Sequence, residues 1–245
     1  MKRAPISRRG PLERLARASL HDSGSSMRRL ERESAAAVAA AAEAMIACLE
    51  GGGCVYFCGN GGSAADAQHL AAELSGRFAF DRPPLRAMAL TTNSSSLTAI
   101  ANDYGYARVF ARQLEGMGRR GDILVAITTS GGSANVIGAV AVARRLGLTV
   151  IGMTGLPGAR FAATCHHALV TPSRSTPRIQ EGHIAMGHAL CELIECALFE
   201  APEPRRRGAA SSRRLDPARA ARRRGGRARK PRRSGGGQRR RGGRP

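Results

Sequence analysis

The sequence predicts an α/β fold, a doubly wound parallel sheet of five strands flanked by helices. Five short apolar runs predict the strands, because they lack the polar alternation of a strand that is exposed on one face. These runs cover residues 54–59, 86–91, 123–128, 149–154 and 167–171. Helix-like segments separate them, and strands that alternate with helices favour a parallel sheet with right-handed crossovers.

The first predicted helix, residues 26–49, is rich in alanine and free of Gly and Pro, and three glycines at 51–53 end it. Five further helices are predicted at residues 63–76, 94–101, 109–116, 133–146 and 179–198. Ligands of such sheets bind at the carboxyl ends of the strands, and the Gly- and Ser-rich segments of this chain lie there.

A chain of 245 residues can bury one core and carry appendages. Residues 1–26 mix Arg, Pro, Ser and Gly and are predicted to form a loosely ordered arm. Residues 27–202 are predicted to be the folded domain. Residues 203–245 consist mainly of Arg, Gly, Ala and Ser, a composition that cannot offset the entropy of ordering, so this tail is predicted to be disordered.

The net charge of +21 is concentrated at the two ends of the chain. Residues 205–245 contain 18 basic side chains and one acidic side chain, and the first 32 residues carry a net charge of +6. The stretch between them has a net charge of −2. The sequence therefore allows nucleic-acid binding only through the Arg-rich tail.

We expect a soluble, cytoplasmic protein. The six cysteines lack the paired spacing of a zinc site or a disulfide framework, which predicts reduced thiols. No stretch approaches the roughly 18–20 uninterrupted apolar residues of a membrane span. No apolar run follows the N-terminus closely enough to be a secretory signal.

Two strand ends carry similar loops, GNGGSAAD at 59–66 and TTSGGSANV at 128–136. Glycines let backbone amides approach an anion, hydroxyl groups add donors, and a helix begins directly after each loop. Neither loop has the Lys-Ser/Thr of a nucleotide P-loop or the spacing of a dinucleotide site. The pair predicts a site for a phosphate monoester on a small molecule.

Two helices carry candidate proton-transfer groups. His69 and Glu73 share one face of the helix after the first loop, and Gln180 and His188 lie about two turns apart on the last helix. A carboxylate and an imidazole can share the proton transfers of an isomerase, whereas two His, one Glu and one Gln could equally hold a divalent metal such as zinc. His183 is interpreted as a core residue.

These motifs resemble a known family. The segments GNGGSAADAQHLAAELSGRF, ANDYGYARVFARQ, TTSGGSANV and RIQEGHIAMGHAL are similar, in the same order, to segments of the sedoheptulose 7-phosphate isomerases, which have a SIS domain. The resemblance covers about residues 30–200. It implies a flavodoxin-like three-layer sandwich, a homotetramer, and conversion of sedoheptulose 7-phosphate to D-glycero-D-manno-heptose 7-phosphate through an enediol.

The resemblance also implies roles for individual residues. It makes Glu73 and His188 the catalytic acid/base pair, and it implies zinc on His69, Glu73, Gln180 and His188. The implied substrate-binding residues are Asn60, Gly61, Gly62, Ser63, Glu73, Asn102, Asp103, Thr128, Thr129, Ser130, Ser133 and Gln180. Because Glu73 and His188 are far apart in sequence, we expect subunits to complete the site together.

Two alternatives use the same fold. A non-catalytic phosphosugar-binding protein that associates with the replication initiator would have no need for Glu73 and His188, and both are present. A phosphosugar-sensing regulator would require a DNA-binding domain, and the sequence has no helix-turn-helix pattern.

Overall fold

The computed structural model describes residues 9–199. The five strands are β1 Val55–Gly59, β2 Ala87–Ala89, β3 Ile123–Ile127, β4 Thr149–Gly155 and β5 His167–Thr171. The seven α-helices are α1 Arg9–Glu50, α2 Gly62–Ser75, α3 Ser94–Tyr104, α4 Val109–Met117, α5 Ala134–Leu146, α6 Ala159–Ala162 and α7 Thr176–Leu198. Residues 1–8 of the predicted arm and the predicted tail, 203–245, lie outside the described residues.

The sheet confirms the predicted fold class. All neighbouring strands are parallel, in the order β2-β1-β3-β4-β5. This is the flavodoxin-like order. The chain adds β2 on one side of β1 and then adds β3 on the other side, and this reversal opens a crevice between β1 and β3 at their carboxyl ends. Both strands are buried along their whole length, as their continuous apolar runs predict.

Helices cover both faces of the sheet. On one face, the side chains of α1, α2 and α7 form a core around Met45, Leu70 and Leu190. On the other face, α4 and α5 form a core around Phe110, Leu114 and Val140. The proton-transfer candidates lie on the first face, because α2 and α7 carry them.

The first helix is longer than the sequence predicts. The prediction that it starts at residue 26 and follows a loosely ordered arm is wrong, because α1 runs without a break from Arg9. Contacts with α7 stabilise the Gly- and Ser-containing part of this helix: the Ser23 hydroxyl donates to Glu181 Oε2 at 2.7 Å, and Arg178 Nη1 donates to the Ser19 carbonyl at 2.7 Å. Tertiary contacts therefore outweigh the weak helix propensity of this segment.

The six cysteines are free thiols, of which four are buried and Cys196 is exposed. Burial raises the pKa of Cys58 to about 12, so this thiol stays protonated at neutral pH. Within residues 9–199, no helix has the combination of length and hydrophobicity that a membrane crossing requires.

His183 is a core residue, as its sequence setting predicts, and we expect it to make the protein sensitive to acid. Its side chain is fully buried, and burial lowers its pKa to about 4, although the Thr154 backbone acts against this shift. The unfolded state therefore binds more protons between pH 6.5 and 4, so stability falls as the pH falls through this window. From pH 7 to 5 this group should remove about 2 kcal/mol of unfolding free energy.

Urea denaturation at the two pH values tests this expectation. The His183→Leu variant should show a smaller loss of unfolding free energy between pH 7 and pH 5 than the parent protein. An equal loss in both proteins would assign the acid sensitivity to other groups.

Candidate active site

Two anion-binding loops meet at the crevice between β1 and β3. The first joins β1 to α2, and the second joins β3 to α5. Gly61 (φ 56°) and Gly131 (φ 72°) adopt left-handed backbone conformations that let the loops turn tightly into their helices.

The N-cap residues of α2 and α5 make no side-chain hydrogen bond to their helices. Some first-turn N–H groups already have acceptors, since Ser63 donates to the Asn60 carbonyl in α2. In α5, the Val136 N–H donates to Asn135 Oδ1. The other N–H groups at these helix starts are the ones that can bind an anion.

A pair of amides fixes the two loops to each other. Asn60 and Asn135 exchange two side-chain hydrogen bonds of 2.8 Å, and the Tyr106 hydroxyl donates to Asn60 Oδ1 at 3.2 Å. Asn60 thus helps to hold the loops together in addition to any substrate contact. Asn135 and Tyr106 were not predicted as site residues, because nothing in the sequence segments that contain them indicates that they contact Asn60.

The second loop is ordered by its own hydroxyl groups. The hydroxyls of Thr128 and Ser133 lie 3.2 Å apart, and Thr128 Oγ1 also accepts the Gly131 N–H at 3.2 Å. Ser130 Oγ accepts the Gly132 N–H at 3.3 Å, and the Ser130 side chain is exposed. The Thr129 carbonyl accepts the Gly155 N–H from the end of β4. The four hydroxyl residues that were predicted from the second loop therefore lie together at the crevice.

The predicted proton-transfer groups lie together. His69 Nε2 is 2.9 Å from His188 Nε2, one ring donating and the other accepting, and it is 3.3 Å from Glu73 Oε1. The helices α2 and α7 of one chain bring these three groups together. The expectation that subunits complete the site together stays a prediction. The side chains of His69 and Glu73 are 48% and 24% exposed, so this cluster is open to a ligand.

Gln180 reaches the first loop from α7. A Cβ atom on Gly62 would lie 2.1 Å from Gln180 Nε2, so the amide fills the space above this glycine. Gln180 therefore lies beside the anion-binding loop. Its predicted roles in substrate and metal binding stay predictions.

We expect Gly62→Ala to damage the site more than the fold. The new methyl group must displace the Gln180 amide, which is the end of a flexible side chain and can move at little cost in stability. Misplaced binding groups commonly reduce catalysis, and we expect kcat/KM to fall about 10-fold or more. Gly116→Ala in α4 is the matched control, because nothing lies within 4 Å of its Cβ position. Steady-state kinetics and thermal melting of both variants test this, and equal kcat/KM values would contradict it.

Three other predicted substrate-binding residues lie below the first loop or near the end of α3. Ser63 is only 3% exposed and packs against Gly59 below the loop. Asn102 Nδ2 donates to Asp103 Oδ1 at 2.8 Å, and both residues are exposed near the end of α3. Within residues 9–199, no hydrogen bond connects Asn102 or Asp103 to the two loops. Their predicted contacts with substrate stay predictions.

Asp66 lies near His69 and was not among the residues that the sequence reasoning selected. Its Oδ2 atom is buried without a hydrogen-bond partner. Burial raises the pKa of Asp66, and the nearby His69 acts against this shift. Asp66 ends the GNGGSAAD segment, but no feature of that segment shows that its carboxylate is buried beside His69.

Comparisons with known proteins point to one family. The model of the SIS domain family matches residues 20–155. A phosphoheptose isomerase from Rhodospirillum rubrum is 57% identical over 164 residues, which make up 67% of this chain and 87% of that protein. One from Burkholderia pseudomallei is 50% identical over 67% of this chain and 83% of its own length.

Solved structures show the same likeness. Phosphoheptose isomerase GmhA from Neisseria gonorrhoeae has a TM-score of 0.72 and 44% identity, over 76% of this chain and 99% of that chain. A phosphoheptose isomerase from Francisella tularensis has a TM-score of 0.73 and 38% identity, over 76% of this chain and 98% of that chain.

The fold and the two loops define a SIS-domain protein. Within that class, the chain belongs to the phosphoheptose isomerase family and is an isomerase. The resemblance predicted from the four sequence segments is confirmed, and so is the prediction that the protein is an enzyme. The alternative of a non-catalytic member of the same fold is not supported.

Proposed function

We propose that this enzyme converts D-sedoheptulose 7-phosphate to D-glycero-D-manno-heptose 7-phosphate in bacterial heptose biosynthesis. The observation that supports this best is the cluster of His69, Glu73 and His188 beside two anion-binding loops. The loops bind the phosphate, and the cluster lies where the other end of a sugar chain can reach it. Such a protein would work in the cytoplasm.

The proposed reaction passes through an enediol. Glu73 takes a proton from C1 of the ketose and returns it to C2, while His188 donates a proton to O2 and accepts the proton from O1. The C2 carbonyl thereby becomes a hydroxyl, and C1 becomes the aldehyde. General acid–base groups in such positions contribute roughly 10²- to 10⁴-fold to the rate.

We also propose a zinc site on His69, Glu73, Gln180 and His188. Their imidazole, carboxylate and amide donors are of the kinds that zinc binds, and the distances of 2.9 and 3.3 Å bring three of these side chains together. Within residues 9–199, no three His, Cys, Asp or Glu side chains already have the arrangement of a metal site, so binding would require small side-chain movements. When bound, zinc would polarise the substrate carbonyl.

We propose a homotetramer in which a second copy of the chain covers the groove between α1 and α7. The groove measures about 380 Å³, and its lining is mostly apolar, including Leu30, Val38 and Leu193. Leu193 is 42% exposed, and Leu12 and Leu15 on α1 are more than half exposed. Apolar surface of this kind is typical of contacts between subunits. Sedimentation of the purified protein tests the proposal, and a monomeric mass would contradict it.

An isomerase assay with sedoheptulose 7-phosphate tests the function. The intact chain and a chain that ends at Pro202 should both convert the substrate, since all site residues precede residue 199. A folded protein that binds the sugar phosphate without converting it would contradict the proposal. Activity of the intact chain alone would show that residues 203–245 take part.

A further inference from the structure

We propose that a buried ion pair outside the proton-transfer cluster, between Arg82 and Glu195, positions Glu73 and His188 for catalysis. Arg82 lies in the segment between α2 and β2, and Glu195 lies in α7. Both side chains are only 1% exposed, and Arg82 Nε lies 2.8 Å from Glu195 Oε1. This proposal depends on the acid/base roles given above to Glu73 and His188.

Arg82 acts on Glu73 through the end of α2. Its Nη2 donates to the Glu73 carbonyl at 2.8 Å, and its Nη1 donates to the Leu74 carbonyl at 2.9 Å. These carbonyls belong to the last turn of the helix, where no further helical N–H can reach them. A positive charge is also favourable at this end of a helix. The guanidinium therefore fixes the turn from which the Glu73 side chain extends.

Glu195 acts on His188 through the same segment. Its two carboxylate oxygens accept the Phe78 N–H at 3.0 Å and the Ala79 N–H at 2.7 Å. The Phe78 ring lies against the His188 imidazole, with the ring centres 5.7 Å apart. Glu195 and His188 are also two turns apart on one helix. The Glu195 carboxylate thus fixes the position of α7 relative to the backbone of residues 78–79, whose Phe78 ring contacts His188.

The environment keeps the Glu195 carboxylate charged. Burial acts to raise the pKa of Glu195, but the hydrogen bonds from Ala79 and Phe78, followed by those from Arg82, outweigh it and lower the pKa. Burial raises the pKa of the neighbouring Cys191 to about 12, and the Glu73 carboxylate adds to that shift. Cys191 therefore stays neutral at neutral pH and adds no charge near the ion pair.

Kinetics of three variants test the positioning role. Glu195→Gln and Arg82→Met should lower kcat about 10- to 100-fold, the loss expected when reacting groups are misplaced by about 1 Å. KM should change less than about 3-fold, because the anion-binding loops are untouched. Arg82→Lys should recover part of the lost kcat, since it keeps the charge but cannot reach every carbonyl.

A control separates positioning from general loss of stability. Leu148→Ala removes a buried side chain from the opposite core, at the amino end of β4. It should lower Tm without lowering kcat when assayed well below its Tm. If kcat of the three variants falls no further than that of Leu148→Ala, the positioning role is wrong.

The outcome is distinguishable from failure of the proposed function. If Glu73→Gln is inactive and Glu195→Gln is fully active, only the positioning role fails. If Glu73→Gln is fully active, the proposed acid/base role of Glu73 is wrong, and the positioning role that depends on it is wrong as well. Should Arg82→Met and Glu195→Gln not fold, Arg82→Lys decides the question, because full kcat in that variant contradicts the proposal.

Discussion

Replacement of Glu73 or His188 by glutamine is expected to lower kcat by about 10²- to 10⁴-fold. Glutamine keeps the length and polarity of glutamate but neither accepts nor releases a proton at neutral pH. Both side chains lie in the cluster around His69, so the losses should be similar and should not add in the double variant. Turnover of sedoheptulose 7-phosphate by the three variants is the measurement.

Glu115→Gln is the control for this experiment. Glu115 forms ion pairs with Arg108 and Arg145 and has no part in the cluster. Its removal should leave kcat unchanged. A Glu73→Gln variant with the activity of this control would exclude Glu73 as the base, and additive losses would mean that the two groups act in separate steps.

The second large effect concerns stability. Arg82→Met should lower the free energy of unfolding by about 3–5 kcal/mol, the usual cost of leaving a buried charge without its partner. Here the unpaired group is the Glu195 carboxylate, which is 1% exposed. The change also removes the donors to the Glu73 and Leu74 carbonyls. Urea denaturation gives the value directly.

Two further variants test whether the loss of stability comes from a buried charge that is left without its partner. Arg29→Met breaks an ion pair whose two side chains are about half exposed, and it should cost no more than about 0.5 kcal/mol. The double variant Arg82→Met/Glu195→Met should lose less than the sum of the two single variants, because neither charge is left buried alone. A small loss for Arg82→Met alone would mean that water reaches Glu195 in the variant.

The sequence predicted most of the fold because buried parallel strands leave a simple pattern. β5 was predicted with the observed bounds, and β1, β3 and β4 within one residue at each end. The β2 prediction was too long, since only Ala87–Ala89 pairs with β1. The start of α1 could not be predicted, because Ser23 and Gly24 disfavour a helix and only the contacts with α7 stabilise one there.

The candidate site was predictable where function depends on local sequence. The two loops carry their chemistry in consecutive residues, and His69 and Glu73 are one helical turn apart. Asn135, Asp66 and Arg82 depend on contacts that only the folded chain creates. Arg82 and Glu195 are 113 residues apart, and no periodicity connects them.

The distance along the chain between the two halves of the site has a consequence for biosynthesis. Translation supplies the sheet and both anion-binding loops before it supplies α7, which carries Gln180, His188 and Glu195. A nascent chain that lacks α7 holds the sugar-phosphate loops without the complete proton-transfer cluster. Because α7 also supplies Leu190 to the core, completion of the core and completion of the proton-transfer cluster occur together, when the last helix packs.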